Sequence, residues 1–462
     1  MVAPILRMLA APLMRRASAM RLPVAAHALL LPLAVALALL PAVACAAPDP
    51  ARVDAAIAGV LPEMTAWRRD IHQHPELGTL EVRTAAKVAG HLRGLGLEVR
   101  TGIGGTGVAA VIRGARPGPR IALRADMDAL PVTEATGLPF ASTVRTTYRS
   151  QEVGVMHACG HDAHVAILMA AAEALVALKG ELAGEVMVIF QPAEEGPPVP
   201  GQIVGAKAMI DDGLFRDFRP EAIFGLHVWS ALPAGSVGFR GGPTMASVDE
   251  WRLVVRGRQT HGARPWDGVD PITIAAQVQL AMQAIVARQV DTVRSPVVLS
   301  TGQVQAGVRF NIIPDEAVMT GTLRAFDAEV RRDVIARLER TAKAIAEAAG
   351  GSAELTVNMN APLTANAFER TQRGGAALRA ALGGDRVVEM PLLTIGEDFS
   401  QFSTVAPTFF WFVGSTGPGI DPRRAPMNHS PQFLLDESAL EAGLRSMLAV
   451  ALEALGPPPP TP

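Results

Sequence analysis

The sequence predicts an α/β protein in which a mostly parallel main sheet is covered by helices and interrupted by a small inserted domain of ferredoxin-like βαββαβ order. Three observations predict it. From Val53 to Val228, short β-rich runs alternate with helix-period segments, the texture of a parallel sheet with crossover helices. After Gly241-Gly242-Pro243 the runs follow a β-α-β-β-α-β order as far as Asn358, which suits a small antiparallel sheet. The α/β texture then resumes up to Leu455, so the second pattern reads as an insertion. The chain's 462 residues also exceed the roughly 250–300 at which a single core stops growing.

Taken in order, Arg7, Arg15, Arg16 and Arg21 precede an almost uninterrupted apolar run from Leu22 to Cys45, with no acidic residue before Asp49. That is the pattern of an export signal, with Ala44-Cys45-Ala46 as a small-x-small cleavage site. An uncleaved anchor helix is the alternative, since the run is long enough to span a bilayer. Apolar spacing then predicts helices over Val53–His72 and Glu81–Arg93, stopped by Gly94-Leu95-Gly96. Strands are expected at Gly107–Ile112, Ile121–Ala125, Glu185–Gln191 and Ala222–Val228, with helices at Asp162–Leu178 and Ala206–Asp211. In the insertion, strands Trp251–Arg256, Val297–Gln303, Ala317–Phe326 and Ala353–Asn358 are separated by helices Pro271–Arg288 and Ala328–Ala349. Phe409–Val413 reads as a strand and Glu437–Leu455 as a closing helix. The expected organisation is a signal peptide over 1–46, a main domain over 47–242 and 361–456, the inserted domain over 243–360, and a disordered tail over 457–462.

The formal charge is −2, and removal of the four signal Arg lowers it to −6. A mildly acidic chain without a basic, aromatic-flanked run has no electrostatic case for nucleic acid. Membrane contact is expected only during export, to a periplasmic or secreted location. Of the two cysteines, Cys45 departs with the signal, leaving Cys159 alone where disulfides are permitted. A lone thiol there calls for burial or a metal.

The densest chemical segment is Met156-His157-Ala158-Cys159-Gly160-His161-Asp162-Ala163-His164, set just before a helix. Gly160 permits a turn that aims Cys159 and His161 at one point. Thiolate plus imidazole suits Zn, Mn, Co or Ni; a helix-capping turn around a buried thiol is the alternative. Gln191-Pro192-Ala193-Glu194-Glu195-Gly196 follows an apolar strand, where ligands of open parallel sheets gather. In extended chain adjacent glutamates face opposite ways, so one is expected on a metal and the other free to move a proton. His227 is expected at a strand end, and His429 in Met427-Asn428-His429-Ser430. The acids of Leu123-Arg124-Ala125-Asp126-Met127-Asp128 would hold a ligand imidazole in its tautomer.

The ordered set HACGHDAH, QPAEEG, FGLHV, GEDF and NHSPQF, together with Trp67–Leu77, resembles the aminoacylase and carboxypeptidase family of metallopeptidases over nearly the whole mature chain. The likeness is to the branch of hippurate hydrolases, bacterial N-acyl amino acid amidohydrolases and plant auxin-conjugate amidohydrolases. It implies an exported amidohydrolase that cleaves N-acyl amino acids with two divalent metal ions, Mn or Zn foremost. Cys159, His161, Glu195, His227 and His429 match the metal ligands, Cys159 as the bridging one; Glu194 matches the general base, and Asp128 the acid orienting a ligand histidine. The inserted domain becomes a lid, where Gly257–His261 is similar to the segment bringing a histidine, His261, to the scissile carbonyl, and Asn311–Pro314 to a substrate-binding loop headed by Asn311. Lid-mediated homodimers occur among such proteins. Pro197–Val204 is longer and richer in proline than the glycine link expected there. A dipeptidase or carboxypeptidase on the same site, and an inactive metal-binding protein, are the competing readings.

Overall fold

The computed structural model describes residues 48–196, 199 and 201–456. The expected signal segment 1–46, the tail 457–462 and three prolines of the 197–204 loop lie outside the described residues.

The first helix, Pro50–Gln73, starts where Asp49 accepts from Ala51 N–H and Pro50 fills the first turn. The main sheet has eight strands in the order Val99–Ile103, Gly107–Arg113, Ala183–Gln191, Arg116–Asp126, Ala222–Pro233, Thr408–Thr416, Val237–Phe239, Val387–Glu389. Its centre is parallel, with Arg116–Asp126 between Ala183–Gln191 and Ala222–Pro233, and Thr408–Thr416 on the far side of the latter. Strand residues alternate between two cores. Leu123, Val188, Phe224 and Trp411 face helices Pro50–Gln73, Val82–Gly94, His161–Leu178 and Ser438–Leu455. Ala122, Met187, Ile223 and Phe410 face the opposite layer, which includes helix Gly205–Asp211. His161–Leu178 is apolar nearly all round because it is buried nearly all round.

Strands Val297–Ala306, Glu316–Ala325, Val248–Arg256 and Ser352–Ala361, in that spatial order, form a separate antiparallel sheet. Helices Pro271–Gln289 and Ala328–Ala348 supply its core with Ile274, Val278, Met282, Val334, Leu338 and Ala342. This is the βαββαβ order expected from the sequence.

Helix Phe368–Leu382 was not expected, since Gly374 and Gly375 interrupt its pattern. They are there for close packing: a Cβ at Gly374 would lie 2.5 Å from Phe409 Cε1, and one at Gly375 2.4 Å from Phe239 Cζ. The strand carrying His227 also does not end there; it continues to Pro233. It does leave one neighbour, because its pairing with Arg116–Asp126 stops at Arg124↔Gly225 while Phe412↔His227 stays paired on the other side. His227 thus sits where the sheet splits, at the carboxyl ends of its neighbours.

Candidate metal centre

Four segments, far apart in sequence, meet above that split. Gly160 caps helix His161–Leu178 with φ +91°, and a Cβ there would lie 2.2 Å from Val228 Cγ2. Only glycine meets both demands, and it sends Cys159 and His161 into one space. Ala193 (φ 50°) and His429 (φ 73°) are also left-handed, a conformation that costs non-glycine residues of order 1–3 kcal/mol and gathers at functional sites. Surrounding bonds hold both in place. Ala193 N–H donates to the buried Glu81 carboxylate at 2.7 Å, and His429 N–H donates to Ala158 O at 2.8 Å.

Donor atoms of Cys159, His161 and His227 lie within 4.8 Å of one another, as do those of Cys159, Glu195 and His429, and those of His161, Glu194 and Glu195. Cys159 Sγ is 3.2 Å from both His227 Nε2 and His429 Nε2. His429 Nε2 is 3.1 Å from Glu195 Oε1. All five expected ligands and Glu194 therefore converge. The expectation that the two glutamates face opposite ways is corrected: Glu194 and Glu195 occupy a turn rather than extended chain, so both carboxylates reach the cluster.

The polar surroundings fix which nitrogen of each ring is free. His161 Nδ1 faces Asp128 Oδ1 at 3.2 Å, and Asp128 Oδ2 accepts from Glu195 N–H at 2.9 Å. Asp128 therefore steadies two of the converging residues. His227 Nδ1 donates to Val228 O at 2.6 Å, leaving the Nε2 lone pair toward Cys159. Asp126, grouped with Asp128 at the sequence level, instead accepts from His164 Nδ1 at 2.5 Å, while His164 Nε2 accepts from Val228 N–H at 2.8 Å.

Several contributors escaped sequence reasoning. Buried Arg124 donates to Gln191 (2.8 Å), Asp126 (2.6 Å), Glu397 (2.9 Å) and Asp398 (3.2 Å). Asp398 N–H reaches Glu194 Oε1 at 3.3 Å, and its carboxylate accepts from Ala206 N–H at 2.8 Å. The GEDF motif carried Glu397 and Asp398, yet spacing alone gives no hint that they flank Glu194. His164 closes the dense histidine segment and Arg124 stands beside Asp126 in the sequence, but neither position hints at these partners, and Glu81 had no signal beyond its place at the start of a helical run.

Burial pushes the Glu194 carboxyl well above its usual range, and the neighbouring Glu397, Glu195 and Asp398 push it further. Burial acts the same way on Glu195, but His429, with help from His161 and Cys159, outweighs it and holds that carboxyl low. Burial and the adjacent glutamates raise the Cys159 thiol. Against the burial penalty, Asp126 and Asp128 raise His161 to about 10.

These residues fit a divalent metal centre. Thiol, imidazole and carboxylate donors converge, and His161 Nε2 is buried without a hydrogen-bond partner. Asp126 Oδ2 lies 3.6 Å from it, too far for a hydrogen bond, and a buried nitrogen left so is costly unless something completes it. His261 and Asn311 lie together on the inserted domain, where the Thr260–His261 and Ile312–Ile313 strands pair and Gly262 N–H donates to Asn311 O at 2.8 Å. Among the described residues, neither is hydrogen-bonded to the cluster. His261 Nδ1 accepts from Ala263 N–H at 3.0 Å, so the neutral ring carries its proton on Nε2.

Thermostable carboxypeptidase 1 of Saccharolobus solfataricus is 40% identical over 390 residues, covering 83% of this chain and 93% of that protein. N-acetylcysteine deacetylase of Bacillus subtilis is 38% identical over 389 residues, covering 84% and 96%. A solved Bacillus subtilis structure, described as a dinuclear metal-binding peptidase of the M20 family, superposes with a TM-score of 0.71 at 36% identity, covering 86% of this chain and 99% of that one. The model for peptidase family M20/M25/M40 matches residues 122–453, and the chain belongs to that family.

Proposed function

We propose that the protein hydrolyses N-acyl amino acids to a carboxylic acid and a free amino acid, at a centre holding two divalent cations. The observation that carries this reading is the convergence of Cys159, His161, Glu195, His227 and His429 beside a glutamate, Glu194, that the ligand set does not require. Bound there, divalent cations would acidify water and polarise an amide carbonyl. The soft thiol and imidazoles favour Zn and the carboxylates admit Mn, with Co and Ni compatible. Glu194 takes the proton of the attacking water and returns it to the leaving amine nitrogen. His261, with Nε2–H outward, donates to the developing oxyanion when the inserted domain closes over the substrate, and Asn311 beside it binds substrate.

The deacetylase name of one relative supports the N-acyl substrate, while the carboxypeptidase name of another favours peptide substrates on the same site. Release of free amino acid from N-acetyl and N-benzoyl amino acids, with dipeptides left intact, separates the two. Glu194→Ala should lower turnover by roughly 10²–10⁴-fold while metal content stays that of the wild type; full activity would remove the proposed base.

The basic and apolar stretch over 1–46 supports export to the periplasm or beyond, which amino-terminal sequencing of the mature protein would check. The exposed Val304, Val308 and Phe310, on or just beyond the edge strand Val297–Ala306, support a homodimer through the inserted domain, which light scattering would reveal.

A further inference from the structure

We infer that Asn428 is the positioning residue that clasps the metal centre together. This rests on the metal-centre reading and adds a role that the ligands alone do not explain. Asn428 Nδ2 donates to Cys159 O and to Val228 O, both at 3.1 Å, and its Oδ1 accepts from Ser230 N–H at 3.2 Å. Two carbonyls and one N–H fix the orientation of the amide, because the reverse would set a carbonyl oxygen against two others. One side chain thus links the backbone of the Cys159 turn, the strand carrying His227, and the loop carrying His429.

The link is specific at each point. Val228 O also accepts His227 Nδ1–H, so Asn428 steadies the acceptor that sets the tautomer of that ring. Cys159 O belongs to the residue whose thiol lies between His227 and His429. His429 follows Asn428 directly and is held left-handed, so the direction of its ring depends on where the Asn428 backbone is pinned. Among natural side chains, only an amide of this length offers two donors and an acceptor from a single planar group. Aspartate has the shape but sets carboxylate oxygen against both carbonyls.

The test uses the full chain stripped with chelator and titrated with cobalt(II), whose thiolate-to-metal charge-transfer absorption reports Cys159 as a ligand. Asn428→Asp and Asn428→Ala should each lower cobalt affinity by about 10–100-fold, the usual cost of losing a group that orients metal ligands. The aspartate variant should lose at least as much as alanine despite its matched shape. The near-ultraviolet circular dichroism of both metal-free variants should match the wild type, and where one variant loses that signature the other carries the comparison. Wild-type affinity in a folded variant, or a lower metal-free melting temperature with unchanged affinity, overturns the clasp and leaves Asn428 an ordinary loop residue. A wild-type protein without the charge-transfer absorption overturns the metal-centre reading, and the clasp with it.

Discussion

Replacing Asp128 with asparagine keeps the shape of the side chain and removes only one acceptor. The two carboxylate oxygens face two donors, His161 Nδ1–H at 3.2 Å and Glu195 N–H at 2.9 Å. An amide has one oxygen and one NH2, so in either orientation one donor meets another. If the NH2 faces His161, the ring relieves the clash by moving its proton to Nε2, the atom that is buried and without a hydrogen-bond partner. That proton removes the lone pair a metal needs. If the NH2 faces Glu195, the turn that brings its carboxylate to the cluster is pushed away. Either route weakens one ligand without deleting it, and groups in this position contribute about 10–100-fold to metal affinity. At about 1.4 kcal/mol per tenfold, the cost is roughly 1.4–2.8 kcal/mol. Competition against a chromophoric chelator, with zinc or cobalt and the full chain, measures it directly. Wild-type affinity in Asp128→Asn would refute the assignment of His161 as an Nε2 ligand oriented by Asp128.

Two further perturbations separate site chemistry from scaffold. His261→Ala should lower kcat by roughly 10²–10³-fold, the usual effect of deleting one oxyanion donor, with metal affinity intact; an unchanged kcat would end that role for His261. Asp162 is buried, accepts from Arg68 Nε at 2.7 Å and faces His72 Nδ1 at 2.9 Å. Burial alone would raise its pKa, but Arg68 and His72 outweigh burial and hold it well below the usual value. Its stabilisation is therefore complete above the unfolded pKa of about 3.9 and is lost as pH falls toward the depressed folded value. Asp162→Asn should destabilise the fold by about 3–5 kcal/mol at neutral pH, with a flatter acid limb in thermal melts; equal stability and the same limb would show that Arg68 finds another partner.

The sequence made some of these features legible and hid others for physical reasons. Helix periodicity found Pro50–Gln73 and His161–Leu178 to within a few residues, because long runs of consistent apolar spacing dominate local preference. Helix Phe368–Leu382 was hidden because its packing against Phe409 and Phe239 requires glycines that read as breakers. Within the site, Gly160 was legible since a single residue supplies both the turn and the close approach. The turn at Glu194-Glu195 was not: it depends on a left-handed Ala193 held by Glu81, 112 positions earlier. No window along the chain contains both.

Arg124 was hidden for a related reason, and its place bears on how the glutamates of the site can exist. Read along the chain, it is a charged residue in an apolar strand; in the fold it is a fully buried guanidinium with four acceptors around it. Glu194, Glu397 and Asp398 bring carboxylate oxygens within 4.8 Å of one another, an arrangement whose mutual repulsion favours protonation. Arg124 offsets that repulsion unequally. Among the described residues it donates to Glu397 and Asp398 and not to Glu194; Glu194 stays well above its usual range, and Asp398, despite its hydrogen bond to Arg124, is still pushed up to about 7. The same guanidinium fixes Asp126, which fixes His164, which accepts from Val228 N–H beside His227. One buried cation therefore serves both halves of the site: it lets acids gather around Glu194 without binding Glu194 itself, and it anchors the chain of contacts that ends at a ligand. Lysine could supply the charge but not the planar fork that reaches Gln191, Asp126 and Glu397 together.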